Sequence, residues 1–117
     1  MARWAIAIHG SAGVDLNLPE HRQEGAKRAE RVLARCLLDL LRVGASALDV
    51  VEAVVQELET DPCFNSGRGS ELTRAGTVEM EAIIMDGRDR RCGAISGVST
   101  VRNPVSLARR VMGLPIP

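Results

Sequence analysis

The chain has 117 residues, with 15 basic and 15 acidic side chains and a formal net charge of zero. That length is one domain or part of one, and the balanced charge argues against nucleic-acid or anionic-membrane binding driven by bulk charge. Trp4 and Phe64 are the only aromatic residues, so there is no platform of rings for single-stranded nucleic acid and the core falls to aliphatic side chains.

No apolar run approaches the roughly 18 residues needed to cross a bilayer, and the stretch before His9 is too short for a secretory signal. Cys36, Cys63 and Cys92 are widely spaced, with no CxxC pair, which argues against a closed zinc site. Three free thiols suit a reducing cytosol, so a cytoplasmic location is expected. All three cysteines read as small buried hydrophobes.

In chain order, Trp4–His9 is a short apolar run broken by Gly10-Ser11-Ala12-Gly13, which reads as a strand and a turn. Val14 to Pro19 reads as loop, with Pro19 near a helix start. From Glu20 to Val43, Ala29, Leu33, Cys36, Leu37, Leu40 and Leu41 recur every three or four residues. That spacing predicts a long amphipathic helix, closed by Gly44 in a left-handed conformation. Ser46 followed by Asp49 predicts a capping box with Asp in the place of Glu. The second helix then buries Leu48, Val51, Val55 and Leu58 on one face, and the two helices form a hairpin.

Asp61 to Ser70 reads Asp-Pro-Cys-Phe-Asn-Ser-Gly-Arg-Gly-Ser. Pro62, Gly67 and Gly69 oppose a regular helix and impose a specific backbone path. Leu72 to Gly76 reads as a short strand and turn. Val78 to Met85 alternates, with Val78, Met80, Ala82 and Ile84 on one face and Glu79, Glu81, Ile83 and Met85 on the other. Asp86-Gly87 signals a hairpin, and Cys92 to Val101 is the return strand, its packing thinned by Gly93 and Gly97. Asn103-Pro104 reads as an N-cap and first helical residue, opening a helix through Met112. The class is mixed α and β with an antiparallel hairpin.

Several residues are candidates for chemistry. His9 to Gly13 could admit a ligand backbone or phosphate, although no P-loop lysine or full GxGxxG accompanies it; a tight turn accounts for it as well. Seven serines offer hydroxyls, but none lies in a GxSxG elbow. Glu79 and Glu81 share a strand face, which is either a carboxylate pair or a solvated surface. The loop from Leu58 to Ser70 could turn carbonyls inward around a hard cation.

Four ordered segments carry a resemblance: IAIHGSAG (Ile6–Gly13), GASALDVVEAVVQELETDPCFNSGRGSELT (Gly44–Thr73), GTVEMEAIIMDG (Gly76–Gly87) and GAISGVSTVRNPVSLARRVM (Gly93–Met112). Together they resemble the plant-type L-asparaginase and isoaspartyl peptidase family of N-terminal nucleophile hydrolases. The resemblance implies an α+β fold, here a partial αββα sandwich lacking the β-subunit half. Residues 1–112 would be the N-terminal part of the α subunit, and residues 113–117 a divergent tail.

In that family a precursor cleaves itself, exposing an N-terminal threonine that attacks L-asparagine or isoaspartyl dipeptides, with its own amine as base. The resemblance implies that the carbonyls of Leu58, Glu59, Asp61, Phe64, Ser66 and Arg68 match the ligands of a sodium loop. It implies that Asn65 lies beside the nucleophile and helps order the active site. Ser11 departs from the family's HGGAG, and Glu81 from its VEMDA. The family's nucleophile falls beyond Met112, and none of Thr60, Thr73, Thr77 and Thr100 matches it. No catalytic residue is therefore expected here, the chain alone is expected to be inactive, and no cofactor is expected, although the resemblance leaves room for a structural sodium ion. Its expected partners are the family's β subunit or a full-length homologue, without which sheet edges and apolar faces would stay open. The readings that follow are a truncated family enzyme, a non-catalytic module pairing with a homologue, or a small phosphate binder using Gly10 to Gly13.

Overall fold

The computed structural model describes residues 4–10, 27–28, 31–32, 34–36, 38–40 and 42–115. The described positions between 27 and 42 are helical, in line with the expected long helix. The apolar positions Ala29, Leu33, Leu37 and Leu41 lie outside the described residues, as does most of the Gly10 to Gly13 turn. Gly44 takes φ +69°, the left-handed residue predicted to close that helix.

Helix α1 spans Ala47–Thr60. Its capping box is formed: the Asp49 amide donates to Ser46 Oγ at 3.2 Å, and the Ser46 amide donates to Asp49 Oδ2 at 3.1 Å. The buried stripe differs from the expected one. Val50, Val54 and Leu58 are buried, whereas Val51 is exposed. The helix packs on two sides, so its buried arc is wider than one stripe: Leu58 meets Phe64 and Ile8, while Leu48 and Val55 pack against the hairpin and the last helix.

Strands β1 (Met80–Met85) and β2 (Cys92–Val98) form a two-stranded antiparallel sheet. The predicted alternation holds, with Met80 and Ile84 buried and Glu81, Ile83 and Met85 exposed. Register runs Met85↔Cys92 to Ala82↔Ile95, then slips so that Met80 pairs with Val98. The extra residue is a β-bulge in β2, where Gly97 supplies φ +67°, and the strand ends at Val98, three residues before the predicted Val101. At the hairpin tip the left-handed residue is Arg90 (φ +62°) and not Gly87. A four-residue loop closes between Asp86 and Arg91, whose backbones bond at 2.9 Å. Asp86 organises it, accepting from the Arg88 amide at 3.0 Å and pairing with its guanidinium, which holds the carboxyl down at about 2.

Helix α2 (Pro104–Met112) lies across the sheet. Ile84, Val105 and Ala108 form the tightest cluster, at 3%, 1% and 0% exposure. Burying a valine or isoleucine this fully contributes about 1.5–3 kcal/mol each. Gly93 makes the approach feasible, because a Cβ there would lie 2.0 Å from the Ala108 carbonyl oxygen.

Three further expectations are corrected. Residues 4–10 form no strand and Trp4 is 60% exposed; a strand needs a neighbouring ladder, and none among the described residues runs beside them. Leu72 to Gly76 contains a turn, closed by Thr73 and Thr77, but no strand. Cys63 and Cys92 are exposed and Cys36 is half-buried: Cys63 sits on the loop surface, where its Sγ accepts from Arg28, and Cys92 lies on the sheet's open face. The mixed α and β class stands. Among the described residues the sheet has two strands, and no helix is long and apolar enough to cross a membrane.

Candidate functional site

The site grows from the C-terminus of α1. Pro62 has no N–H to offer the Leu58 carbonyl four residues back, so the α-helical ladder fails there. The Asp61 amide still closes on Glu57 at 3.0 Å, and Phe64 N–H then turns back onto the Asp61 carbonyl at 3.3 Å. The Asp61 carboxylate accepts from the Cys63 amide at 2.9 Å and pairs with Arg28; these contacts hold its pKa below the ordinary value against the opposing effect of burial.

A 3₁₀ turn at Gly67–Gly69 folds the loop back under the helix. Gly67 has φ +58°, and a Cβ on it would lie 2.3 Å from the Glu59 carbonyl oxygen. A Cβ on Gly69 would lie 2.1 Å from the Phe64 carbonyl oxygen. Both contacts are with backbone, so only glycine lets the chain pass. Among the described residues, four of the six candidate carbonyls, those of Leu58, Glu59, Phe64 and Arg68, accept no turn hydrogen bond; those of Asp61 and Ser66 each take one, the latter from Gly69 at 3.4 Å. A carbonyl has two lone pairs, so all six retain acceptor capacity. Neutral carbonyl oxygens are the type of ligand that a hard cation takes.

Asn65 is exposed on this loop, and its Oδ1 accepts from the Glu71 amide at 3.0 Å. It lines a cleft of about 500 Å³ with Glu59, Ser66, Glu71, Glu79 and Glu81. The cleft thus gathers Asn65 and the Glu79–Glu81 pair into one place. Glu81 is occupied as the acceptor of the Ser96 hydroxyl at 2.8 Å. His9 is exposed and does not line this cleft.

One set of polar residues was not anticipated. Asp49, Glu52, Gln56 and Glu59 recur at spacings of three and four on α1 and bind α2 along its length. Arg109 pairs with Asp49 at 2.6 Å and with Glu52. Gln56 Nε2 donates to Ser106 Oγ at 2.6 Å. Glu59 Oε1 accepts from the Val105 amide at 2.9 Å, and Oε2 from Asn103 Nδ2 at 3.2 Å. Asn103 occupies the N-cap position but its side chain caps nothing; it turns toward α1, and Glu59 caps the helix instead. Burial pushes the Glu59 carboxyl up, partly countered by its two donors. The hydrogen bonds from Ser46, then those from Arg109, hold Asp49 down at about 2. The three-and-four spacing of these polar residues was the available signal.

A family model described as asparaginase matches residues 2–114. The chain belongs to this asparaginase family. It is 64% identical over 115 residues to a probable isoaspartyl peptidase/L-asparaginase 2 of Arabidopsis thaliana, covering 96% of this chain and 34% of that protein. It is 44% identical over 107 residues to the isoaspartyl peptidase/L-asparaginase of Danio rerio, covering 92% of this chain and 34% of that protein. The human isoaspartyl peptidase/L-asparaginase is 43% identical over 109 residues, at 92% and 34% coverage. The chain spans about a third of the length of these relatives.

Proposed function

We propose that this chain is the N-terminal part of the α subunit of an enzyme that hydrolyses L-asparagine and isoaspartyl dipeptides, and that alone it is catalytically silent. The observation that carries this reading is the family match across residues 2–114 together with coverage of only a third of the relatives. The reaction needs a threonine hydroxyl beside a free α-amine. Thr60 donates its hydroxyl to the Gln56 carbonyl at 2.8 Å, and Thr73 and Thr77 bond each other. All four threonines are internal, with amide nitrogens that cannot act as the base.

The part this chain plays is to set the loop and Asn65 beside the cleft where the nucleophile of a complete αββα sandwich would enter. The carbonyls of Leu58, Glu59, Asp61, Phe64, Ser66 and Arg68 hold a sodium ion that fixes the loop. The test is to incubate the purified chain with asparagine and an isoaspartyl dipeptide and to assay ammonia and aspartate. No turnover is expected; turnover that persists through further purification overturns the reading.

A pairing role with a full-length homologue is favoured by Ile83 and Met85, exposed at 67% and 55% on the open face of the sheet. Co-purification with such a homologue supports pairing, and its absence at micromolar concentrations counts against it. The cytoplasmic location belongs to the same proposal and is checked by fractionation.

A further inference from the structure

We infer that Glu59 is a positioning residue that couples the 61–70 loop to the N-terminus of α2, so that the state of one sets the order of the other. The inference deepens the cation-loop reading, since the same loop carries the proposed sodium ligands and Asn65. Glu59 is only 3% exposed, and its two halves serve two different elements. Its carbonyl oxygen, Cα and Cβ lie 2.3, 2.8 and 2.8 Å from where a Cβ on Gly67 would sit, so the loop rests directly on it. Its carboxylate takes the Val105 amide at 2.9 Å and Asn103 Nδ2 at 3.2 Å.

The N-terminus of α2 has no substitute for this contact. Pro104 has no N–H, so Val105 carries the first unsatisfied donor of the helix. Asn103, whose side chain could have served, is turned away. Glu59 brings an acceptor and a negative charge to the positive end of the helix. Among the described residues it has no cationic partner. When the loop lifts, water reaches this carboxylate and competes for it, and the cap weakens. When the cap is lost, a buried carboxylate loses its donors, which is costly, and Glu59 shifts beneath Gly67. Coupling between two such sites is reciprocal.

The experiment is amide hydrogen exchange on the full 117-residue chain, read at Val105, at the loop amides of Phe64, Gly69 and Ser70, and at Ile84 and Ile95 as references. Gly67→Ala drives a methyl group against the backbone and Cβ of Glu59, forcing the loop and Glu59 apart while leaving both carboxylate oxygens chemically intact. It is expected to speed exchange at Val105 at least tenfold relative to the references. Glu59→Gln keeps an acceptor for Val105 but sets an amide donor against Asn103 Nδ2, and is expected to speed exchange in the loop. The double variant is expected to exchange no faster at Val105 than the faster single variant.

Unchanged Val105 exchange in Gly67→Ala, multiplicative effects in the double variant, or equal loosening of Ile84 and Ile95 overturns the inference. Sodium chloride against choline chloride separates the two readings. Protection of the loop by sodium that extends to Val105 in the parent and not in Glu59→Gln supports the link; protection confined to the loop overturns it. If sodium protects neither segment, the cation reading fails, and the substitution arms alone decide the link.

Discussion

Replacing Gly93 by alanine is the sharpest test of how the hairpin and α2 are joined. The new Cβ would lie 2.0 Å from the Ala108 carbonyl oxygen, 2.5 Å from the Met112 nitrogen and 2.9 Å from Met112 Cβ. Ordinary contact begins near 3.4 Å, so the helix must retreat by about 1.4 Å at its closest point, and two of the obstructing atoms are backbone. A retreat of that size strips dispersion contacts from Ile84, Val105 and Ala108, the tightest cluster among the described residues. Overpacking typically costs about 1–3 kcal/mol, occasionally more, and the upper end, about 3 kcal/mol, applies where nothing flexible can yield. Gly97 in the same strand is the control: it has φ +67° but open space around its missing Cβ. Alanine there meets only the left-handed penalty, about 1–2 kcal/mol. Urea unfolding followed by far-ultraviolet circular dichroism reads both. With a slope of about 1.5 kcal/mol per molar, Gly93→Ala lowers the midpoint by about 2 M and Gly97→Ala by about 1 M. A Gly93→Ala chain within 0.5 kcal/mol of the parent, or more stable than Gly97→Ala, refutes the packing argument.

Three other outcomes follow from the same contacts. Asp49 is held at about 2, below the ordinary carboxylate value of about 3.9. Its contribution is therefore fully present above about pH 4 and is lost as pH falls through about 2. An acid titration of Asp49→Asn should show a shallower loss across that window, and a slope equal to the parent's would contradict the assignment. Arg109→Met removes the pairing with both Asp49 and Glu52; it should cost about 1 kcal/mol at low salt, with the gap from the parent narrowing in 1 M sodium chloride. A salt-independent gap would point to packing instead. Ile83→Thr combined with Met85→Thr alters the open face of the sheet and should leave stability within about 0.5 kcal/mol while reducing binding of a hydrophobic dye; a large stability loss would mean that the face is covered.

What was legible in the sequence was local. Gly44, the Ser46–Asp49 box, the alternation of Val78 to Met85 and the Asn103-Pro104 boundary each depend on residues a few positions apart, and each lies where the pattern placed it. The candidate loop was legible too, because Pro62, Gly67 and Gly69 leave few backbone paths. What failed depended on distant neighbours. Trp4–His9 has the composition of a strand, but composition supplies no ladder partner. Val51 and Val50 exchanged places because the apolar spacing of α1 does not say that two sides of the helix are covered. Asn103 sits at a helix start, yet its cap comes from a carboxylate 44 residues earlier in the chain. The Asp49, Glu52, Gln56 and Glu59 series escapes the apolar spacing for a related reason: nothing within α1 says which distant element lies beside its polar residues.

That series also explains how a two-stranded sheet keeps its shape. A lone hairpin is marginal in water, and among the described residues one of its faces is covered while Ile83 and Met85 stand exposed on the other. The cover is α2, whose inner side is apolar through Val105 and Ala108 and whose flank is polar through Ser106 and Arg109. The apolar side fixes distance, set by the absence of a Cβ at Gly93. The polar flank fixes rotation, because Glu59 accepts from the Val105 amide, Gln56 donates to Ser106 and Glu52 accepts from Arg109, each at its own height along α2. Burial alone is non-directional and would let the helix slide over the sheet; three differently placed polar contacts do not. The helix that carries these groups ends directly in the 61–70 loop, so one helix both orients α2 and leads into the loop that carries Asn65.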